Sequence, residues 1–520
     1  MHERRVFVLR RLVVALATTA MVSSCAAPGP HQTPADPASA PPTSSPSSPA
    51  TATTAIPTAS SGSSSADPSP TPITARSTIG HSKPSRINDI DGDGRVDIVW
   101  SGFNSASVHE VQVAFGDGRV QAISATDVGE QVAADATTFF GAMIVVADLN
   151  RDGYADIVAT DPFVTYKGKD VTTIWALWGG PDGISGKRAT LLTRAPWSAY
   201  SLAFVPLPEP VLALGTDEHR CGSVRLYPVR ADGSLGRHRL ITLLTPGIEG
   251  EPDIVGGTNF GRGLAASGNL LVLGDEAHGR VEAGAVWVLH MLPGVAFKAL
   301  RVTQDSPGMP DKAESRDAYG LAVSVLGDRV VVGVPGESWP GHEEAGAVAS
   351  FRVRLVNGQP RAYDGVQMTQ DSAGVPGTAT TQQIFGTHVQ ATILCDGVPG
   401  ALVQTAADSG VGDETLFGTV SSVPFDHASR CPGVVLATWV RDGRQPLSVA
   451  RTDPAGSAGE LPVVGLQDEN RLGIGWLPRQ DMVGPLGADP VGVEVLTVPE
   501  LFRARRPCRP PSCRRTVREP

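Results

Sequence analysis

A short β-forming run that ends in small residues recurs along this chain of 520 residues, and that recurrence restricts its folds more than any other feature. The copies are VDIVW around Ile98, DIVAT around Ile157, VLALG around Ala213, LLVLG around Val272 and RVVVGVP around Val332. Two weaker ones follow, GALVQT around Val403 and QDMVGP around Val483. Successive centres lie 56 to 80 residues apart, so seven units of similar size fill the stretch 86–501. Length alone would allow two or three ordinary domains, but a repeat overrides that prior. One sheet cannot bury both of its own faces, whereas a ring of sheets covers every face and leaves only short outer edges. The expectation is an all-β chain built as a seven-bladed β-propeller. With aromatics at only 5% of residues, its core must be made of Val, Leu, Ile, Ala and Gly.

Two nine-residue loops sit 59 residues apart, Asp89 to Asp97 and Asp148 to Asp156, reading DxDxDGxxD and DxNxDGxxD. Oxygens at positions 1, 3, 5 and 9, with the backbone carbonyl of position 7, suit a hard cation of calcium size, and glycine at position 6 permits the sharp turn. The expected ligands are Asp89, Asp91, Asp93, Asp97 and the Arg95 carbonyl in the first loop. In the second they are Asp148, Asn150, Asp152, Asp156 and the Tyr154 carbonyl. Asp and Gly mark turns in any protein, but two loops of identical spacing predict two Ca²⁺ sites. The EF-hand reading fails, because its position 12 needs a carboxylate and here falls on Trp100 and Ala159. Both loops run into β-branched strands rather than amphipathic helices.

The units share further signatures. Phe140-Gly141, Phe260-Gly261, Tyr319-Gly320 and Phe385-Gly386 open four of them, and a later strand begins Gly-Ala-Val at Gly284 and Gly346. Between units, Thr303-Gln-Asp-Ser-Pro-Gly-Met-Pro310 and Thr369-Gln-Asp-Ser-Ala-Gly-Val-Pro376 are near copies. At these residues, at Gly333-Val334-Pro335 and at the two acidic loops, the chain resembles the FG-GAP repeat proteins, the family of the integrin α-chain propeller and its bacterial relatives. The resemblance is strong up to residue 390 and weaker beyond. It implies four-stranded blades, with calcium between strands 1 and 2 of a blade. Only the first two units keep that loop; later ones have shortened it to Ser267-Gly-Asn, Leu326-Gly-Asp and Cys395-Asp-Gly, which lack the ligands.

The ends of the chain read differently. Residues 1–25 carry Arg4, Arg5, Arg10 and Arg11, an apolar run from Leu12 to Val22, and then Ser23-Ser24-Cys25. That run is too short to span a bilayer and reads as a secretory signal. The Cys at its end looks like a bacterial lipobox, which implies cleavage before Cys25, lipidation of its sulfur and a membrane-anchored protein on the extracytoplasmic side. Arg4-Arg5-Val-Phe7 also resembles a twin-arginine signal, so the export route stays open. Residues 26–85 are Pro, Ser, Thr and Ala with almost no charge, a tether that cannot bury enough surface to fold. As a coil it would reach about 45 Å on average. Residues 502–520, rich in Arg and Pro, read as a basic disordered tail.

The chain has a net charge of −10, and setting its basic ends aside makes the body more acidic still, which argues against nucleic acid as a partner. Export permits disulfides among Cys221, Cys395, Cys431, Cys508 and Cys513, and their pairing stays open. No catalytic motif stands up. His342-Glu-Glu-Ala-Gly lacks the second His of a zinc-protease helix, and Gly180 to Lys187 has Pro181 where a phosphate loop needs open backbone. The loops after the second strands of units three to five gather Asp217, Glu218 and His219, then Asp275, Glu276, His278 and Glu282, then Glu337, Trp339, His342, Glu343 and Glu344. His219, His278, Trp339 and His342 are the expected contacts for an extracellular protein or glycan ligand, on the face opposite the calcium loops; a solvated acidic rim is the plainer reading. The functional expectation is a calcium-binding, lipid-anchored binding or adhesion module. The alternative is a secreted hydrolase or lyase, since one fold hosts both kinds of function.

Overall fold

The apolar strands assemble as the repeat requires. A computed structural model describes residues 88–475 except 96, 104–107, 131–137, 167–168, 196–197, 219–221, 251–257, 280, 395–397, 408–416, 426–432, 434, 441–463 and 469–470. Two short 3-10 turns aside, its regular elements are β-strands in antiparallel sheets, and each strand pairs with its neighbours in sequence. Sheet one holds β1 (Ile98–Phe103), β2 (His109–Ala114) and β3 (Val120–Ser124). Sheet two holds β4 (Ile144–Ala147), β5 (Asp156–Tyr166), β6 (Lys169–Leu177) and β7 (Thr190–Ala195). Sheet three is β8 (Ala199–Val205), β9 (Val211–Thr216), β10 (Ser223–Pro228) and β11 (Arg239–Ile241). Sheet four is β12 (Gly263–Ser267), β13 (Leu270–Asp275), β14 (Ala285–Leu292) and β15 (Ala296–Val302). Sheet five is β16 (Val323–Leu326), β17 (Arg329–Val334), β18 (Ala347–Val356) and β19 (Gln359–Met368). Sheet six is β20 (Phe385–Ile393), β21 (Pro399–Ala407), β22 (Phe417–Pro424) and β23 (Val435–Val440), and a hairpin of β24 (Val464–Asp468) and β25 (Arg471–Gly475) follows.

The core lies between the sheets, one layer per interface. Side chains alternate across a strand, so a strand covered on both faces feeds two layers and reads as a continuous apolar run. Leu271 and Leu273 of β13 pack with Val211, Ala213 and Val224 of sheet three, while Leu270 and Val272 pack with Val330 and Val332 of sheet five. In the same way Val211 and Ala213 of β9 face sheet four, and Leu212 and Leu214 face sheet two. Each fully buried aliphatic side chain contributes roughly 1.5–3 kcal/mol, so every interface is held by its own set.

The aromatic-glycine pairs are the joints. Phe140, Phe260, Tyr319 and Phe385 are fully buried, and the last two also bridge, backbone to backbone, to Gly284 and Gly346 of the preceding sheet. Gly261, Gly320 and Gly386 take left-handed backbone, φ +86°, +101° and +99°, which glycine adopts without steric cost. Their carbonyls press on a glycine in the second strand of the sheet before. A Cβ at Gly215, Gly274 or Gly333 would lie 2.0 Å from the carbonyl oxygen of Gly261, Gly320 or Gly386. That contact explains why the second strands end in small residues.

The shortened connections expected in the later units are two-residue turns, Gly268-Asn269 in sheet four and Gly327-Asp328 in sheet five. The seventh expected strand, around Val483, lies outside the described residues, as do Cys25, the 26–85 tether, the 502–520 tail and Cys221, Cys395, Cys431, Cys508 and Cys513.

Candidate metal centre

Each acidic loop leads into the corresponding strand of its sheet, and both are wired alike. The second runs from β4 to β5; the first leads into β1, the counterpart of β5. At position 6, Gly94 and Gly153 have φ of +83° and +94°. The carboxylate of position 1 accepts from the N–H of that glycine, Gly94 to Asp89 at 3.0 Å and Gly153 to Asp148 at 3.1 Å. Position 5 accepts from position 7, Arg95 to Asp93 at 2.7 Å and Tyr154 to Asp152 at 2.9 Å. Position 3 accepts from position 5, at 3.1 Å in both loops. Side-chain oxygens of 1, 3 and 5 are thereby turned toward the inside of each loop.

Position 9 does something the sequence reading did not anticipate. Asp97 accepts from the N–H of Ile90 at 2.7 Å and of Gly116 at 2.9 Å, and Asp156 from Leu149 and Gly179, both at 2.9 Å. Each fully buried carboxylate ties its loop to the residues just after the third strand, β2 or β6. Burial pushes both up to about 7 despite those hydrogen bonds, because a buried carboxylate loses its hydration.

The loops also hold each other. Ala155 N–H donates to the Asp89 carbonyl and Gly180 N–H to the Ile90 carbonyl, both at 2.9 Å, and the Tyr154 ring lies over Gly92.

The residues suit a hard cation. Asp89, Asp91 and Asp93 each offer an oxygen within 4.8 Å of the others, and Asp89 Oδ1 is buried without a partner. Asp91 pairs with Arg119 at 2.5 Å and Asp93 reaches Arg95 at 3.8 Å, so two partly exposed guanidinia face three carboxylates. Burial raises Asp89, Asp91 and Asp148, with like charge from neighbouring aspartates adding to it. Such oxygens, crowded and short of counter-charge, are what calcium ligation relieves. Asn150 in the second loop supplies a neutral oxygen and donates to Asp152 at 2.9 Å. Beside that loop runs a groove of about 520 Å³ lined by Asn150, Trp178, Thr190, Leu191, Asp232 and Ser234, which no motif announced.

Of the four expected ligand contacts at the other end of the second strands, three are described. His219 lies outside the described residues. His278 is only 4% exposed, 3.6 Å from Asp275 and edge-on to Trp287 at 4.9 Å between ring centres, so it belongs to a sheet interface rather than a rim. Trp339 and His342 stack on each other at 5.2 Å and exchange backbone hydrogen bonds across a tight turn. Asp217 and Glu218 are held by Tyr200 and Arg225. What sequence reasoning missed is a second acidic cluster, Glu314, Asp317 and Glu337, of which only Glu337 stood among the loop residues named.

A family model described as an FG-GAP-like repeat matches residues 89–159, which contain both loops and the sheet between them. Among solved structures the chain is similar to the Pseudomonas aeruginosa periplasmic gluconolactonase PpgL, 15% identical, covering 68% of this chain and 99% of that one with a TM-score of 0.37. It is also similar to an ACO/RPE65 chimera, 12% identical, covering 65% of this chain and 70% of that one with a TM-score of 0.32. Curated proteins give no match. With that match, its aromatic-glycine joints and its paired acidic loops, the chain carries an FG-GAP-like repeat across residues 89–159.

Proposed function

We propose that the protein is a calcium-binding surface protein, anchored by lipid on Cys25 and carried clear of the membrane by the 26–85 tether. Its body acts as a non-enzymatic binding or adhesion module, and its successive sheets close as a seven-bladed propeller. The observation that carries the reading is the shared wiring of the two loops, in which positions 1, 3 and 5 present oxygens inward while position 9 locks the loop to the next hairpin. Rigid scaffolds carry recognition on their loops, and calcium at this pair would fix the surface that includes the Trp178 groove. A ligand that binds only the folded state stabilises it by mass action, about 2.7 kcal/mol per site at a hundred-fold excess over Kd. Thermal unfolding with calcium and with chelator tests this: the midpoint rises with calcium, and an unchanged midpoint across both conditions overturns the reading.

A further inference from the structure

We propose that Glu314, Asp317 and Glu337 form a third divalent-cation site, for Ca²⁺, between sheets four and five at the ends of the strands opposite the two repeat loops. The three carboxylates each offer an oxygen within 4.8 Å of the others. Asp317 is 1% exposed and keeps one oxygen, Oδ1, with no hydrogen-bond partner, whereas the unpartnered Oε1 of Gln304 is shared by Gln370, its counterpart one sheet later, and belongs to the repeat. Gln304 reaches into the cluster through its other atom, donating from Nε2 to Glu337 at 2.8 Å. Gln367 donates to Glu337 at 3.0 Å and also to Asp311, which brings a fourth carboxylate alongside.

Two internal comparisons separate these residues from ordinary structural polar groups. The first is the equivalent corner one sheet earlier. Gly274 and Gly333 occupy the same joint, so four residues further on His278 corresponds to Glu337; likewise Trp287 corresponds to Ala349, and Leu243 to Gln304. There the indole fills the space, donating to the Glu249 carbonyl at 2.7 Å, with His278 and Leu243 packed around Gly250. Exchange of Trp for Ala and of apolar or neutral groups for Gln and Glu turns a packed corner into an oxygen-lined one.

The second comparison is the near-copy loop one sheet later, which folds the same way without acids at the positions of Asp311, Glu314 and Asp317. Thr303 N–H and Thr369 N–H each donate to a serine, Ser306 and Ser372, at 2.9 Å; Ala313 and Ala379 donate to Asp305 and Asp371. Glu314 N–H donates to Asp317 at 2.6 Å, as Thr380 N–H does to Gln383 at 3.0 Å. Arg316 and Gln382 share positive φ, +67° and +59°. Asp311, Glu314 and Asp317 are thus Gly377, Thr380 and Gln383 in a loop of the same shape, so the backbone does not need the carboxylates.

Among the described residues no basic side chain makes an ion pair with Asp311, Glu314, Asp317 or Glu337, whereas Glu218 and Glu276 in the equivalent loops pair with Arg225 and Arg262 at 2.8 Å. Burial first, then the adjoining carboxylates, push Glu337 up to about 8 and Asp317 to about 6. A hard cation held by these carboxylate oxygens would supply the positive charge that the cluster lacks.

Calcium stoichiometry of the full chain in detergent, by equilibrium dialysis with radiolabelled calcium, tests the site apart from the repeat loops. Asp93→Ala with Asp152→Ala should leave one equivalent bound, and adding Glu314→Thr with Asp317→Gln, which copies the neighbouring loop, should remove it while far-UV circular dichroism stays unchanged. Glu337→Gln, which keeps the side chain's shape and its amide contacts, should lose the same equivalent, and so guards against misfolding of the paired change. If the repeat-loop variant binds no calcium, or if its remaining equivalent survives Glu337→Gln, the third site does not exist, whatever the two repeat loops do.

Discussion

Tyr319 alone among the four joint aromatics carries a hydroxyl, and that hydroxyl is buried without a partner while burial holds it far from ionising. A buried polar group left unpaired costs about 1–3 kcal/mol, so Tyr319→Phe, which copies Phe140, Phe260 and Phe385, should raise the urea midpoint and stabilise by about 1 kcal/mol. A loss of stability would mean that the hydroxyl is bonded. Gly274 makes the opposite case. A methyl there would lie 2.0 Å from the Gly320 carbonyl, and forced overpacking costs about 1–3 kcal/mol, so Gly274→Ala should lower the same midpoint. His290 is a pH probe. It is buried, takes a hydrogen bond on Nε2 from Asn269, and burial followed by the nearby Lys298 lowers its pKa. The unfolded chain therefore binds the proton more readily below the ordinary value of about 6.5, and the stability that neutral His290 gives is present above that pH and lost below it. Compared with His290→Gln, the wild type should lose melting temperature between pH 7 and 5; a constant difference between the two proteins would contradict this.

At the level of elements, the strands and the loops were legible and their long-range partners were not. Alternation and small-residue endings located β5, β9, β13 and β17, and the spacing of Asp and Gly located both acidic loops. The aromatic-glycine signature was visible, but its reason, a carbonyl from one sheet resting on a glycine of the sheet before, needs two distant segments in view. Position 9 shows the same limit. Asp97 and Asp156 were read as ligands from spacing, while their bonds to Gly116 and Gly179 join residues on either side of a whole hairpin. His278 was grouped with the candidate ligand face because it lies in the loop after a second strand, and Trp287, two strand positions into β14, packs edge-on against it. The Glu314 and Asp317 cluster left a trace in the sequence, the loss of acids between two otherwise similar loops, and its meaning emerges only when Glu337 and Gln304 are seen beside it.

For the described residues, stability is divided among sheet interfaces, each with its own apolar layer and four of the five with an aromatic-glycine joint. In the region with two acidic loops a cation would add to that packing, since Ala155 and Gly180 already tie the loops together. Anchoring belongs to this scale as well. Several acyl chains hold a protein to a bilayer where one does not, so the wild type should sediment with membranes and Cys25→Ala should appear in the soluble fraction; equal partition of both would refute the anchor. The central claim is that the paired loops bind calcium, and calorimetric titration of the full chain beside its Asp93→Ala, Asp152→Ala variant measures it most directly. The account predicts two equivalents in the wild type that the variant lacks, with affinity at those sites falling at least about ten-fold, or about 1.4 kcal/mol each. Indistinguishable titrations of the two proteins would contradict it.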